Sequence, residues 1–161
     1  MKRMLAVLLL VVAPLAVFAD FQVGVTALYA GTPFGLSTSA GTDSPVPFGV
    51  EARWKFLYVF QLGLDGLILT GPSPALTLLT DAGIVVDLPP FTVGGGIGPD
   101  FTIALGGEGN PATTLINFKA FGEFNFDIFA VGLVIFEPVS ALGELRHNWP
   151  WVGISGLVTL F

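Results

Sequence analysis

Residues 116–128 alternate in character along their whole length. The even positions are Ile116, Phe118, Ala120, Gly122, Phe124, Phe126 and Ile128; the odd ones are Asn117, Lys119, Phe121, Glu123, Asn125 and Asp127. Successive side chains of a strand point to opposite faces. The segment therefore has one oily face and one wet, charged face. It is about twice as long as a common globular strand. A strand tilted across a bilayer has about this length.

Composition sharpens the point. The chain is 53% hydrophobic and only 11% charged, with 21 Gly and 12 Pro. So apolar a chain belongs in a membrane or is nearly all core. After residue 19, Gly, Pro and polar residues interrupt every apolar run, including Leu57 to Leu69 and Phe129 to Phe136. A helical span needs about 20 predominantly apolar residues. The remaining way to cross a bilayer is a closed barrel, whose backbone groups are satisfied between strands.

The N-terminus reads as an export signal. Lys2 and Arg3 precede an apolar stretch from Met4 to Phe18 that only Pro14 interrupts, and Val17-Phe18-Ala19 follows as a cleavage region. The expectation is a signal peptide over residues 1–19 and a mature domain over 20–161. No Cys is present, so neither a lipidated N-terminal Cys nor a disulfide is available. Without Lys2 and Arg3, four basic residues face twelve acidic ones, a formal charge of −8. That balance argues against nucleic acid, which needs clustered Lys and Arg. It argues equally against a polybasic surface for anionic lipid.

Alternation recurs along the mature chain. Phe21, Val23, Val25, Ala27 and Tyr29 oppose Gln22, Gly24, Thr26 and Leu28. Val50, Ala52, Trp54 and Phe56 oppose Glu51, Arg53 and Lys55. Phe60, Leu62, Leu64 and Ile68 oppose Gln61, Gly63 and Asp65. Leu76, Leu78, Ala82, Ile84 and Val86 oppose Thr77, Asp81 and Asp87. Phe91, Val93, Ile97, Phe101 and Ile103 oppose Thr92, Gly94, Gly96, Gly98, Asp100 and Thr102. Phe129, Val131, Leu133 and Ile135 oppose Ala130, Gly132 and Val134, and Trp151 to Phe161 ends the chain. With residues 116–128 this makes eight strands. Short turns are expected at Leu57–Val59, Leu88–Pro90 and Asp127–Ile128, and longer connections at Gly31–Pro47, Thr70–Pro74, Gly106–Ala112 and Pro138–Pro150. Long and short alternate, as in a membrane barrel with long loops at one end and tight turns at the other. The fold class is all-β: an eight-stranded antiparallel up-and-down transmembrane β-barrel.

The mature chain resembles the small eight-stranded outer-membrane barrels of the OmpX, OmpA-barrel and OmpW kind. The resemblance is one of architecture and covers roughly residues 20–161. It rests on the signal peptide, the alternating strands, the loop asymmetry and the terminal Phe161. It implies residence in the outer membrane of a diderm bacterium, with outer-membrane lipid and the barrel-assembly machinery as partners. Gly156 and Phe161 would carry the assembly signal. Here Thr159 and Leu157 share the parity of Phe161, while Val152, Ile154, Val158 and Leu160 have the other. That departure calls for a bulge or a degenerate signal. Phe21, Phe56, Tyr58, Phe60, Phe91, Phe126, Phe129 and Phe161 fall near the short-turn end, and Trp149 and Trp151 near the last loop. Aromatic girdles at both interfaces show this distribution; in a soluble barrel the same residues would be core.

The candidate functional residues are the inward charges Glu51, Arg53, Lys55, Asp65, Lys119, Glu123 and Asp127. A charge facing lipid costs about 2–4 kcal/mol near the midplane, so the sorting is expected of any such barrel. Two readings follow. The charges form an ion-pair network that plugs a narrow lumen, or they exchange partners and gate a conduit for small solutes. Gly94-Gly95-Gly96-Ile97-Gly98 lacks the Lys-Ser/Thr of a phosphate loop; its glycines suit crowded places or a bend in the wall. His147, the single histidine, stands beside Arg146 and Asn148 without a nucleophile motif. With no Cys and no His pair, a metal site is not indicated, and neither a cofactor nor an enzymatic activity is expected. The function expected first is a narrow outer-membrane channel or conduit. The alternative is a non-conducting barrel whose outer loops meet an extracellular ligand or host.

Overall fold

The computed structural model describes residues 19–29, 46–70, 74–105, 113–139 and 150–160. They form eight antiparallel strands: β1 (Ala19–Tyr29), β2 (Phe48–Phe56), β3 (Phe60–Leu69), β4 (Ala75–Leu88), β5 (Phe91–Ala104), β6 (Thr113–Phe126), β7 (Phe129–Val139) and β8 (Trp151–Thr159). Each strand pairs with its sequence neighbours. The ring closes where β1 meets β8, from Gln22 opposite Thr159 to Tyr29 opposite Val152. Closure removes both sheet edges, so every strand has a partner on each side. No helix among the described residues is long and apolar enough to cross a membrane.

Side chains sort by parity as the alternation predicts. Val25, Ile84, Leu133 and Ile154 are each at least 60% exposed on the outer wall, whereas the neighbours that point inward, Thr26, Val85, Val134 and Ser155, are buried. The outer surface is therefore a continuous apolar band, and the charges lie within. Aromatic rings gather at the short-turn end. Trp54, Phe56 and Phe60 form one run, and Phe91, Phe124 and Phe126 another, with centroids 4.5–5.8 Å apart. At the opposite end Tyr29, Phe48 and Phe101 stand outward. Trp151, expected in that outer girdle, instead turns inward onto the buried apolar cluster. Its position shares the inward parity of Ser155 and Leu157 and is in register with the buried Phe136 of β7.

The turns fall where expected. Leu57–Val59 joins β2 to β3 without a glycine, so Leu57 and Tyr58 adopt left-handed φ values of 53° and 62°. Such values are uncommon for bulky residues. Pro89 and Pro90 join β4 to β5. Pro138, expected to open the last loop, still lies within β7 and is in register with Asn117. Its missing N–H costs little at a strand end.

One internal discontinuity is patched by a side chain. Pro99 lacks a backbone donor, and pairing between β4 and β5 lapses between Leu79–Asp100 and Ala82–Ile97. Asn117, fully buried on β6, donates from Nδ2 to the carbonyls of Gly98 (3.0 Å) and Thr80 (3.2 Å). The Thr80 hydroxyl donates to the Pro99 carbonyl at 2.9 Å. The open acceptors are thus satisfied by Asn117 from the lumen and by Thr80 on the outer wall, as buried backbone groups must be.

Candidate functional site

The inside of an eight-stranded barrel is narrow enough for side chains to fill. Two kinds of residue fill it here. Leu28, Leu67, Leu79, Val85, Phe121, Val134 and Phe136 form one buried apolar cluster. Several lie near the longer-loop ends of their strands. Their inward parity follows from the same alternation that places the charges. The signal is weaker because strands such as β3 and β7 are apolar on both faces there.

The second component is ionic. Glu51 and Arg53 come from β2, Asp65 from β3, Asp81 from β4, and Lys119 and Glu123 from β6. None is more than 4% exposed. Arg53 bridges two carboxylates, donating from Nη2 to Glu51 and from Nη1 to Glu123, each at 2.6 Å. The Lys119 ammonium donates to Glu51 at 2.7 Å and to Asp65 at 2.9 Å, and lies 3.8 Å from Asp81. Glu51 is the hub, taking Arg53, Lys119 and the Thr26 hydroxyl (2.8 Å). Both cations also rest on aromatic faces: the Arg53 guanidinium lies 3.9 Å from the Phe121 ring centroid, and the Lys119 ammonium 5.1 Å from that of Phe136. The apolar and ionic components are thus interleaved.

The seven charges expected inside do not form one group. Glu51, Arg53, Asp65, Lys119 and Glu123 do, and Asp81 joins them. Lys55 points inward but lies nearer the short-turn mouth, 3.6 Å from the half-exposed Asp87. There Thr92 donates to Asp87 and Asn125 donates to Thr92. Asp127 is not a lumen residue. It is exposed in the β6–β7 turn with φ 57°, where the alternation of β6 has already ended. A short polar residue that tolerates left-handed backbone is the usual choice at such a turn.

Glycines make room for the cluster. A β-carbon on Gly63 would lie 2.7 Å from the Asp81 carboxyl carbon, and one on Gly96 2.7 Å from Asp81 Oδ1. One on Gly94 would meet the Phe121 ring at 2.5 Å, and one on Gly132 the Glu123 Cγ at 2.5 Å. The glycine run 94–98 is therefore a stretch of strand whose inward members yield space to Phe121 and Asp81.

Of the expected assembly signal, Gly156 sits on the outer face of β8 among Ile154 and Val158, and Phe161 lies outside the described residues. β8 pairs continuously with β1 and β7 over this stretch, so no bulge resets its parity before Thr159. Gly156 and Gly122 floor two shallow apolar hollows of about 360 and 410 Å³ on the outer wall. Arg146, His147 and Trp149 also lie outside the described residues. No grouping of three or more metal-binding side chains occurs among the described residues.

Comparison with solved structures matches this geometry. The N-terminal β-barrel domain of OprF from Pseudomonas aeruginosa superposes with a TM-score of 0.57 at 11% identity. Ail, the attachment invasion locus protein of Yersinia pestis, in complex with the heparin analogue sucrose octasulfate, gives 0.54 at 15%. Neisserial surface protein A gives 0.52 at 12%. Each alignment covers 89% of this chain and 97% of the other. The fold is that of the small eight-stranded outer-membrane barrels. No family model matches the sequence, and no curated protein does. At such identities the likeness concerns the fold, and the interior residues must be read on their own chemistry.

Proposed function

We propose that the protein is an exported outer-membrane barrel that acts as a closed scaffold, holding its longer connections at the cell surface to meet an extracellular ligand. The observation that carries this reading is the sealed lumen. Arg53, Glu51, Asp65 and Lys119 are each no more than 2% exposed, and Lys119 on β6 ties Glu51 on β2 and Asp65 on β3 across the lumen. An open aqueous path would leave these groups wet. Breaking a buried, hydrogen-bonded pair by removing one partner costs about 3–5 kcal/mol, so spontaneous opening of several pairs would be rare. The apolar cluster interleaved with the charges adds a second obstruction.

The comparison with Ail does not extend to its heparin analogue. The longer connections carry Asp43, Glu108 and Glu144 against Arg146, and the mature chain is acidic overall. A polyanion would be repelled. Ligands of neutral or cationic character fit the charge better. Outer-membrane lipid surrounds the apolar band in this reading, and the barrel-assembly machinery inserts it.

The conduit remains the competing function, and conductance separates the two. Purified protein reconstituted in a planar bilayer should stay silent under applied voltage. Reproducible steps of current, altered in size or frequency by Lys119→Gln, would overturn the closed-scaffold reading.

A further inference from the structure

We propose that the interior cluster holds at least one compensating positive charge, a proton or a monovalent cation, between Asp65 and Asp81. Two cations, Arg53 and Lys119, serve four carboxylates: Glu51, Asp65, Asp81 and Glu123. The formal sum is −2, in a region that water does not reach. An uncompensated ion in such surroundings is strongly unfavourable, so a carboxylate there is neutralised or finds a counterion.

Position follows from the atoms left without a hydrogen bond. Asp65 Oδ1, Asp81 Oδ2 and Gln61 Oε1 are all buried and unpartnered. The other oxygen of Asp65 takes Lys119 at 2.9 Å, and the unpartnered oxygen of Asp81 lies 3.8 Å from the same ammonium. Gln61 Nε2 donates to Asp81 Oδ1 at 2.9 Å, tying the amide to the site. Gly63 and Gly96, lacking β-carbons, leave the space that the Asp81 carboxylate occupies. Two carboxylates that share one ammonium, with a buried amide tied to one of them, offer oxygen acceptors for a shared proton or an alkali-metal ion.

No other described group supplies the missing charge. β2 offers Glu51 and Arg53, and its Lys55 is engaged with Asp87. β1 offers the neutral Thr26. On β5 the inward Asp100 accepts from Thr102 and adds a further negative charge. The inward residues of β7 and β8, from Ala130 to Phe136 and from Trp151 to Thr159, include no ionisable side chain.

The test uses the folded full-length barrel in detergent at mildly alkaline pH, where surface carboxylates are ionised. Infrared spectra record whether a protonated carboxyl C=O band persists. Elemental analysis after exhaustive dialysis against choline chloride records retained sodium or potassium, following equilibration with either chloride. A protonated-carboxyl band identifies a proton, and about one retained alkali ion per chain identifies a cation; either supports the proposal when Asp81→Asn removes it. If the unsubstituted protein shows neither, or if the signal survives both Asp81→Asn and Asp65→Asn, the proposal fails. Should Asp81→Asn not fold, Asp65→Asn serves in its place, and the two measurements on the unsubstituted barrel still decide whether the charge exists.

Discussion

Replacing Lys119 with Met removes one charge and keeps most of the side chain's stem, so packing against Phe136 changes little. The consequence is electrostatic. At the separation of 2.9 Å from Asp65, attraction in a medium of effective dielectric ~20 is about 6 kcal/mol. Burying the two ions already consumes much of that, so the pair itself contributes little net stability. Its removal is another matter, because Glu51 and Asp65 lose a donor and Asp81 its nearest cation. The expected loss is about 3–5 kcal/mol. Urea-dependent folding into detergent or lipid vesicles, read by the different gel migration of folded and boiled barrel, measures it. Adding Asp65→Asn to Lys119→Met should restore part of the loss, with a coupling of about 0.5–3 kcal/mol. A single mutant within about 1 kcal/mol of the parent, together with no coupling, would refute the account of the lumen as a bonded ionic plug.

Phe118→Arg places a cation on the outer wall beside that same lysine; folding into bilayers should weaken by about 2–4 kcal/mol if the site is near the midplane, and unaltered folding would contradict the face assignment. Gly63→Ala forces a β-carbon against the Asp81 carboxylate and should cost about 1–3 kcal/mol by overpacking, whereas Gly156→Ala, with nothing within 4 Å of the added atom, should be nearly neutral in the same urea titration. Exchanging Leu57-Tyr58 for Asn-Gly relieves two left-handed residues and should raise the urea midpoint, at about 1–2 kcal/mol per relieved residue before any loss of interfacial contact; a lowered midpoint would mean that the apolar side chains of this turn matter more than its backbone.

The wall was legible because a strand's period of two is a strong signal when one face meets hydrocarbon and the other meets charge. β2 and β6 show it most clearly: Glu51, Arg53 and Lys55 alternate with Val50, Ala52, Trp54 and Phe56, and Lys119 and Glu123 with Phe118 and Phe124. Partnerships inside were not legible, because they depend on register across the barrel. Nothing in the spacing of residues 51 and 119 says that they meet at 2.7 Å. Parity fails at Asp127 because it lies one residue past the end of β6, where φ turns positive. Asp81 shared the lumen parity, yet its membership of the central cluster needed Gly63 opposite it in register and Gly96 on the far side. The Asn117 patch was beyond sequence reading for the same reason: it mends a gap that exists only once β4, β5 and β6 are aligned.

An apolar plug would fill this lumen without burying ions, and a well-packed one is often as stable or more so. The ionic plug has a different advantage, which lies in the strands that are oily on both faces. In β7, Val131, Leu133 and Ile135 face out while Val134 and Phe136 face in. A slip of one residue would exchange two apolar sets at little cost, and such strands are weakly specified. In β6 the same slip would carry Lys119 and Glu123 into hydrocarbon, at about 2–4 kcal/mol for the lysine near the midplane, and would strip Arg53 and Glu51 of their partners. β7 is bonded to β6 from Ile116–Val139 to Phe126–Phe129, so the register of the charged strand sets that of its ambiguous neighbour. The charges therefore determine which face of the sheet is the inside, and a barrel with Glu51, Arg53, Asp65, Lys119 and Glu123 all replaced by apolar residues should close without a unique register even where its total stability is kept.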